Sequence, residues 1–211
     1  MLLKKDIIYE NYIFIFINIC KNGIIINILI IQEAYMSANI KKFTIAAVFV
    51  AIAYVLSFVK LLHLPFGGSI TLFSMLFISL PSYFFGIKYG LMASISYSLL
   101  QLIVDPYIVH PVQLILDYII GFSCFGLAGL FGKNEKNFML GFIIVCCIRF
   151  LSSSISGYVF FKEYAPEGWN PIVYTVVYNG SYIFTECILS LIVISVEPVR
   201  KMINNFKREY Q

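Results

Sequence analysis

The sequence predicts an all-α integral membrane protein: a bundle of six transmembrane helices with both termini on the cytoplasmic side. Three observations lead there. Of the 211 residues, 60% are hydrophobic and only 12% are charged, well below the quarter or so of charged residues in a soluble domain. That excess of apolar side chains is more than one soluble core can cover, and it leaves no room for a separate catalytic domain. Six apolar runs are each long enough to cross a hydrocarbon layer of about 30 Å. Basic residues gather in alternate loops, as orientation in a membrane requires.

The runs are approximately Phe43–Val59, Ile70–Ile87, Tyr89–Val104, Val112–Phe131, Phe138–Phe161 and Tyr174–Val196. The second and third are separated only by the stretch around Gly86, Lys88 and Gly90. Lys41 and Lys42 precede the first run, and Lys88 lies between the second and third. Lys133 and Lys136 lie between the fourth and fifth; Arg200, Lys201, Lys207 and Arg208 follow the sixth. In a six-span serpentine all of these share one side, which makes that side cytoplasmic. The opposite loops hold Lys60, Lys162, His63, Asp105, His110, Glu163 and Glu167. The implied location is a cell membrane, with lipid as the surrounding partner. A net charge of +4 fits lysine-bearing loops and not nucleic-acid binding, which needs a basic face.

Residues 1–35 are rich in Ile, Asn, Lys and Tyr, and Lys21, Asn22 and Gly23 interrupt their apolar part. No small-residue cleavage site marks a signal peptide. A seventh span there would conflict with Lys41 and Lys42. The segment reads as an N-terminal extension before a natural start at Met36, with 36–211 as the membrane domain. The cysteines, Cys20, Cys124, Cys146, Cys147 and Cys187, have no metal-ligand spacing and read as free thiols, four of them in apolar runs. No internal repeat or heptad run is evident.

Ionisable residues inside spans are costly, which makes them functional candidates. Asp117, Arg149 and Glu186 are the three. Asp117 sits in HPVQLILDYIIGF, His110 to Phe122, about two turns below the outer surface. Arg149 and Glu186 fall at similar depth on spans five and six and read as a structural ion pair. Asp117 then awaits a cation, either Arg149 about two turns deeper or a ligand.

In the fifth span, RFLSSSISGYVFF, the residues Arg149, Ser153, Gly157 and Phe161 recur every four positions on one face. The small residues among them, Ser153 and Gly157, suit helix packing or a pocket wall. The sixth span opens with YTVVYNGSY. Tyr174 and Tyr178 fit an interfacial aromatic belt, whereas the amide of Asn179 wants a hydrogen-bond partner.

Asp117, Tyr118, Ser153, Gly157, Phe161, Tyr174 and Asn179 come from three spans and share the outer half, with Tyr107 and His110 in the adjoining loop. Aromatic faces attract a cation, and a carboxylate in low dielectric gives a charge-assisted bond. A few polar groups in an aromatic pocket is how small-molecule sites are built. The set suits a small, flat, cationic ligand. Toward the inner end, Ala47 and Ala51 in TIAAVFVAIAY form a small-xxx-small pair, which reads directly as packing within the bundle.

In this order HPVQLILDYIIGF, GLAGLF, RFxxSxxSGxVFF, YAPEGWNP and YxxxYN resemble the bacterial thiamine transporter family, ThiT or YuaJ. The similarity runs from about Phe43 to Val196. It implies the substrate-binding (S) component of an energy-coupling factor (ECF) vitamin importer, a six-helix bundle with a thiamine site near the outer face. It also implies partners, namely a transmembrane coupling subunit and two ATPase subunits, and no cofactor or metal held by the chain. Carried over by motif, the substrate-binding residues are Asp117, Tyr118, Tyr107, Gly157, Phe161, Tyr174 and Asn179, with Ser153 on the same wall. The docking motif of the first helix falls on Ala47 and Ala51. Three positions depart from the family pattern. Asp117 replaces the glutamate of some members, Phe161 the tryptophan of some, and Ser153 the histidine of many. These changes shorten the reach, weaken the stacking and leave one wall wetter, so a precursor or pyrimidine fragment stays open beside thiamine.

Two other readings compete. The chain contains no GxxxxGK[ST] phosphate loop, which fits a passive subunit. A stand-alone proton-coupled carrier, with Asp117 or Glu186 as the proton site, is the alternative. An intramembrane serine enzyme is disfavoured because neither His63 nor His110 pairs by spacing with a span serine.

Overall fold

In the computed structural model the described residues are 38–64, 68–104, 106–132 and 134–210. Lys42–Gln211 forms one compact unit. The expected extension 1–35, Met36 and Cys20 lie outside the described residues, as do Asp105 and Lys133.

In chain order the elements are α1 (Ala38–Phe58), a hairpin of β1 (Lys60–His63) and β2 (Ser69–Thr71), α2 (Ser74–Phe85) and α3 (Ile87–Val104). Then follow α4 (Pro111–Phe131), α5 (Glu135–Phe160), α6 (Pro171–Ser195) and α7 (Glu197–Tyr210). Among the described residues, four helices, α1, α4, α5 and α6, are long and apolar enough to cross a membrane. The chain is a mostly helical membrane protein.

One expectation needs correction. The fold is not purely helical, because β1 and β2 pair antiparallel, with Leu62 opposite Ile70 and His63 opposite Ser69. That hairpin consumes Ile70 and Thr71, which the apolar pattern had assigned to the second span. Phe73 then turns the chain through φ 63° before α2 begins. The helix has 12 residues, about 18 Å at 1.5 Å per residue, and it ends where Gly86 adopts φ 91°, a conformation that glycine tolerates without strain. Beyond α6 the basic residues Arg200, Lys201, Lys207 and Arg208 lie on α7, an amphipathic helix. Its Phe206 packs on Phe84 and Phe49, at ring-centroid distances of 4.7 and 6.0 Å. Its Lys207 ammonium lies 3.6 Å from the centre of the Tyr83 ring and donates to the Gly132 carbonyl. Burial pulls the pKa of Lys207 below the usual lysine value.

Close backbone approach joins α2 to α4. A Cβ on Gly129 would collide with the backbone of Ser82 and Tyr83. The Gly129 N–H instead donates to Ser82 Oγ at 2.9 Å. This contact fixes the inner part of α4, whose outer part carries the site.

Candidate ligand-binding site

Asp117 stands on an irregular turn of α4. Over Ile115–Ile120 the helix widens to π-helical geometry, a distortion that often accompanies functional positions. Hydroxyls from neighbouring helices support the widened turn. Ser152 of α5 donates to the Leu116 carbonyl at 2.6 Å, and Ser98 of α3 to the Tyr118 carbonyl at 2.8 Å. At the head of α4 His110 is the N-cap: its Nδ1 accepts from the Val112 N–H at 3.1 Å, and its ring stacks on Phe160.

The Asp117 carboxylate is held through one oxygen. Its Oδ2 accepts from Gln113 Nε2 at 2.7 Å and from Ser156 Oγ at 2.8 Å. The hydroxyl on Asp117 is therefore Ser156 and not Ser153, because Ser152 and Ser156 lie on the α5 stripe turned toward α4. Ser153 lines the cavity, and its carbonyl accepts from Asn179 Nδ2 at 3.3 Å. Asn179 finds the partners its burial demands. Its Nδ2 also donates to the Thr175 carbonyl at 3.0 Å, and its Oδ1 accepts from Tyr182 at 2.8 Å.

Around Asp117 opens a cavity of about 420 Å³, within the range of roughly 300–1,000 Å³ usual for small-molecule sites. The structure places Asp117, Tyr118, Tyr107, Ser153, Gly157, Phe161, Tyr174 and Asn179 together on its wall. Tyr107 and Phe161 stack at 5.7 Å with an interplanar angle of 27°, and Tyr164 continues the stack. The Tyr107 phenol is pushed above the usual tyrosine pKa, first by its hydrogen bond with Tyr164 and then by burial. Tyr174 and Tyr178 form a second aromatic pair at 5.9 Å.

Gly157 is where α5 meets α6. A Cβ there would lie 2.6 Å from Thr175 Cγ2 and 3.1 Å from Asn179 Nδ2. Gly157→Ala should therefore push α6 outward and cost about 1–2 kcal/mol of stability, read as a lowered unfolding temperature in detergent. An unchanged midpoint would show that the contact relaxes freely.

The expected ion pair does not form: among the described residues no salt bridge joins Arg149 to Glu186. Both side chains line the cavity but are turned to different neighbours. Glu186 Oε2 accepts from Thr71 N at 3.0 Å and Thr71 Oγ1 at 2.7 Å; Oε1 accepts from Ser74 Oγ at 3.2 Å and Met75 N at 3.1 Å. The N-terminus of α2 has no side-chain cap of its own, so a carboxylate from α6 does the work of one. Helix N-termini favour negative charge for this reason. Arg149 sits over Phe122, its guanidinium carbon 3.9 Å from the ring centre, and its Nε and Nη1 are buried without a hydrogen bond. Cation–π contact takes the place of the carboxylate.

Ala47 and Ala51 are exposed, while Ala46 and Ala53 face the core. The small-xxx-small face therefore does not pack inside the bundle. Gln113, Ser156, Glu186 and Tyr178 matter to the site in ways the sequence reading missed. Tyr178 ties the hairpin to the cavity wall by accepting from the Gly68 N–H at 2.9 Å. Of these, Gln113 carried a usable signal, since an amide one turn before an intramembrane carboxylate invites a hydrogen bond. Cys124, Cys146, Cys147 and Cys187 are free, and no cluster of potential metal ligands occurs among the described residues.

An apolar helical scaffold enclosing an aromatic cavity with a carboxylate in its wall defines a membrane protein that binds a small molecule. The family model described as Thiamine transporter protein (Thia_YuaJ) matches residues 43–204, and the chain belongs to that family, one of transporters and not of enzymes. Thiamine transporter ThiT of Bacillus subtilis is 32% identical over 164 residues, covering 70% of this chain and 85% of that protein. Thiamine transporter ThiT of Lacticaseibacillus paracasei is 31% identical over 102 residues, covering 42% of this chain and 51% of its own. A solved structure of ThiT from Listeria monocytogenes superposes with a TM-score of 0.69 at 26% identity, covering 80% of this chain and 98% of that one.

Proposed function

We propose that this chain is the thiamine-binding membrane subunit of an ATP-driven ECF-type vitamin importer in a bacterial plasma membrane. It captures thiamine near the outer face and passes it inward with a transmembrane coupling subunit and two ATPase subunits. One observation carries the reading: a carboxylate pinned through a single oxygen in the wall of an aromatic cavity. Thiamine joins a flat aminopyrimidine to a thiazolium cation. Rings stack against Phe161, Tyr107 and Tyr174, and the cation meets Asp117. Tyr118, Gly157, Ser153 and Asn179 shape the remaining wall.

In this reading α1 to α6 are the six spans, and the lysine-bearing loops put both termini in the cytoplasm. The short α2 crosses within a cover of other helices. The exposed Ala47 and Ala51 face lets a helix of the coupling subunit approach closely.

The alternative is a stand-alone proton-coupled carrier, and vesicle uptake separates the two. Vesicles holding this chain alone should accumulate no thiamine under a pH gradient. Adding the coupling and ATPase subunits with ATP should start uptake. Gradient-driven accumulation by the chain alone would overturn the subunit reading.

A further inference from the structure

Gln113 is 2% exposed, and its amide is spent entirely on protein. Nε2 donates to Asp117 Oδ2 at 2.7 Å and to the Tyr107 carbonyl at 3.0 Å, while Oε1 accepts from the Val109 N–H at 3.3 Å. The reverse amide orientation would set Oε1 against two acceptors, so these partners fix the side chain. The Tyr107 peptide is gripped on its other side as well, because its N–H donates to Tyr118 Oη at 2.8 Å. Residues on both sides of Asp117 thus clamp the peptide whose ring stacks on Phe161.

We infer that Gln113 is a positioning residue of the ligand site, locking the Asp117 carboxylate to the Tyr107 loop so that Oδ1 is presented to the ligand's cation. Two donors on Oδ2, one from Gln113 and one from Ser156, set the carboxylate plane. No hydrogen bond occupies Oδ1 among the described residues. The same amide sets the distance between the charge that grips the cation and the ring that stacks on it. Leucine at this position removes both bonds, and asparagine falls one methylene short of them. Because Gln113 has no amide hydrogen left over, its influence passes through Asp117 and Tyr107. This inference rests on thiamine, or a ligand of its class, occupying the cavity.

The test is a double-mutant cycle on the full-length protein, read as thiamine Kd by calorimetry. Gln113→Leu should raise Kd tenfold or more in the native background and less than about threefold in the Asp117→Asn background. It should also lower the preference for thiamine over uncharged deazathiamine by about tenfold, a ratio that a merely structural defect leaves unchanged. Gln113→Asn should repeat the loss while keeping an amide, and it carries the comparison if the leucine variant does not fold. Equal losses in both backgrounds, or native affinity in Gln113→Asn, would overturn the role of Gln113 and leave thiamine binding intact. If the native chain binds no thiamine, the proposed function fails and this inference fails with it.

Discussion

Replacing Asp117 by asparagine is expected to weaken thiamine binding by about 1.5–3 kcal/mol, or roughly 10- to 150-fold in Kd. The amide is nearly isosteric, and its oxygen still accepts from Gln113 and Ser156, whose bonds to Asp117 Oδ2 measure 2.7 and 2.8 Å. What it lacks is charge. A charge-assisted bond to a cation is about twice as strong as a neutral one, and the low dielectric of the cavity widens the gap. The loss should therefore appear in affinity and not in the unfolding midpoint. Titration of a well-folded Asp117→Asn protein that returns native affinity would remove Asp117 from the site.

A larger effect on stability is expected at Glu186. Its carboxylate collects Thr71 N, Thr71 Oγ1, Ser74 Oγ and Met75 N, and the residue is 1% exposed. Glu186→Leu strands two backbone N–H groups that no side-chain rotation can rescue. Each buried unsatisfied donor costs about 1–3 kcal/mol, so the two stranded N–H groups together cost about 2–6 kcal/mol. A loss of about 2–6 kcal/mol is expected, measured by thermal unfolding in detergent. Glu186→Gln keeps one acceptor oxygen and should lose roughly half as much. Thiamine affinity should fall too, since the same bonds hold the hairpin whose Gly68 reaches Tyr178 on the cavity wall. An unchanged midpoint in Glu186→Leu would mean that the N-terminus of α2 is capped some other way.

These two carboxylates mark what the sequence could and could not reveal. Asp117 was legible because a charge in an apolar run demands an explanation, and counting turns put it at the right level with residues of two other helices. Counting turns gives depth but not rotation about the helix axis. For that reason Arg149 and Glu186 were matched by depth, yet one turns to Phe122 and the other to the start of α2. The hairpin stayed hidden because Ser69, Ile70 and Thr71 run straight into the apolar residues of α2, and hydropathy does not distinguish a strand from a helix there. The π-helical turn under Asp117 has no signature in the residue pattern, since its support comes from Ser98 and Ser152 on other helices. The contact of Gln113 with the Tyr107 loop likewise depends on a fold that spacing alone does not specify.

Calorimetric titration of the purified full-length chain with thiamine tests the central claim most directly. Saturation at one thiamine per chain, with a dissociation constant below the micromolar range, is the expected result. Absence of binding at micromolar thiamine would contradict it.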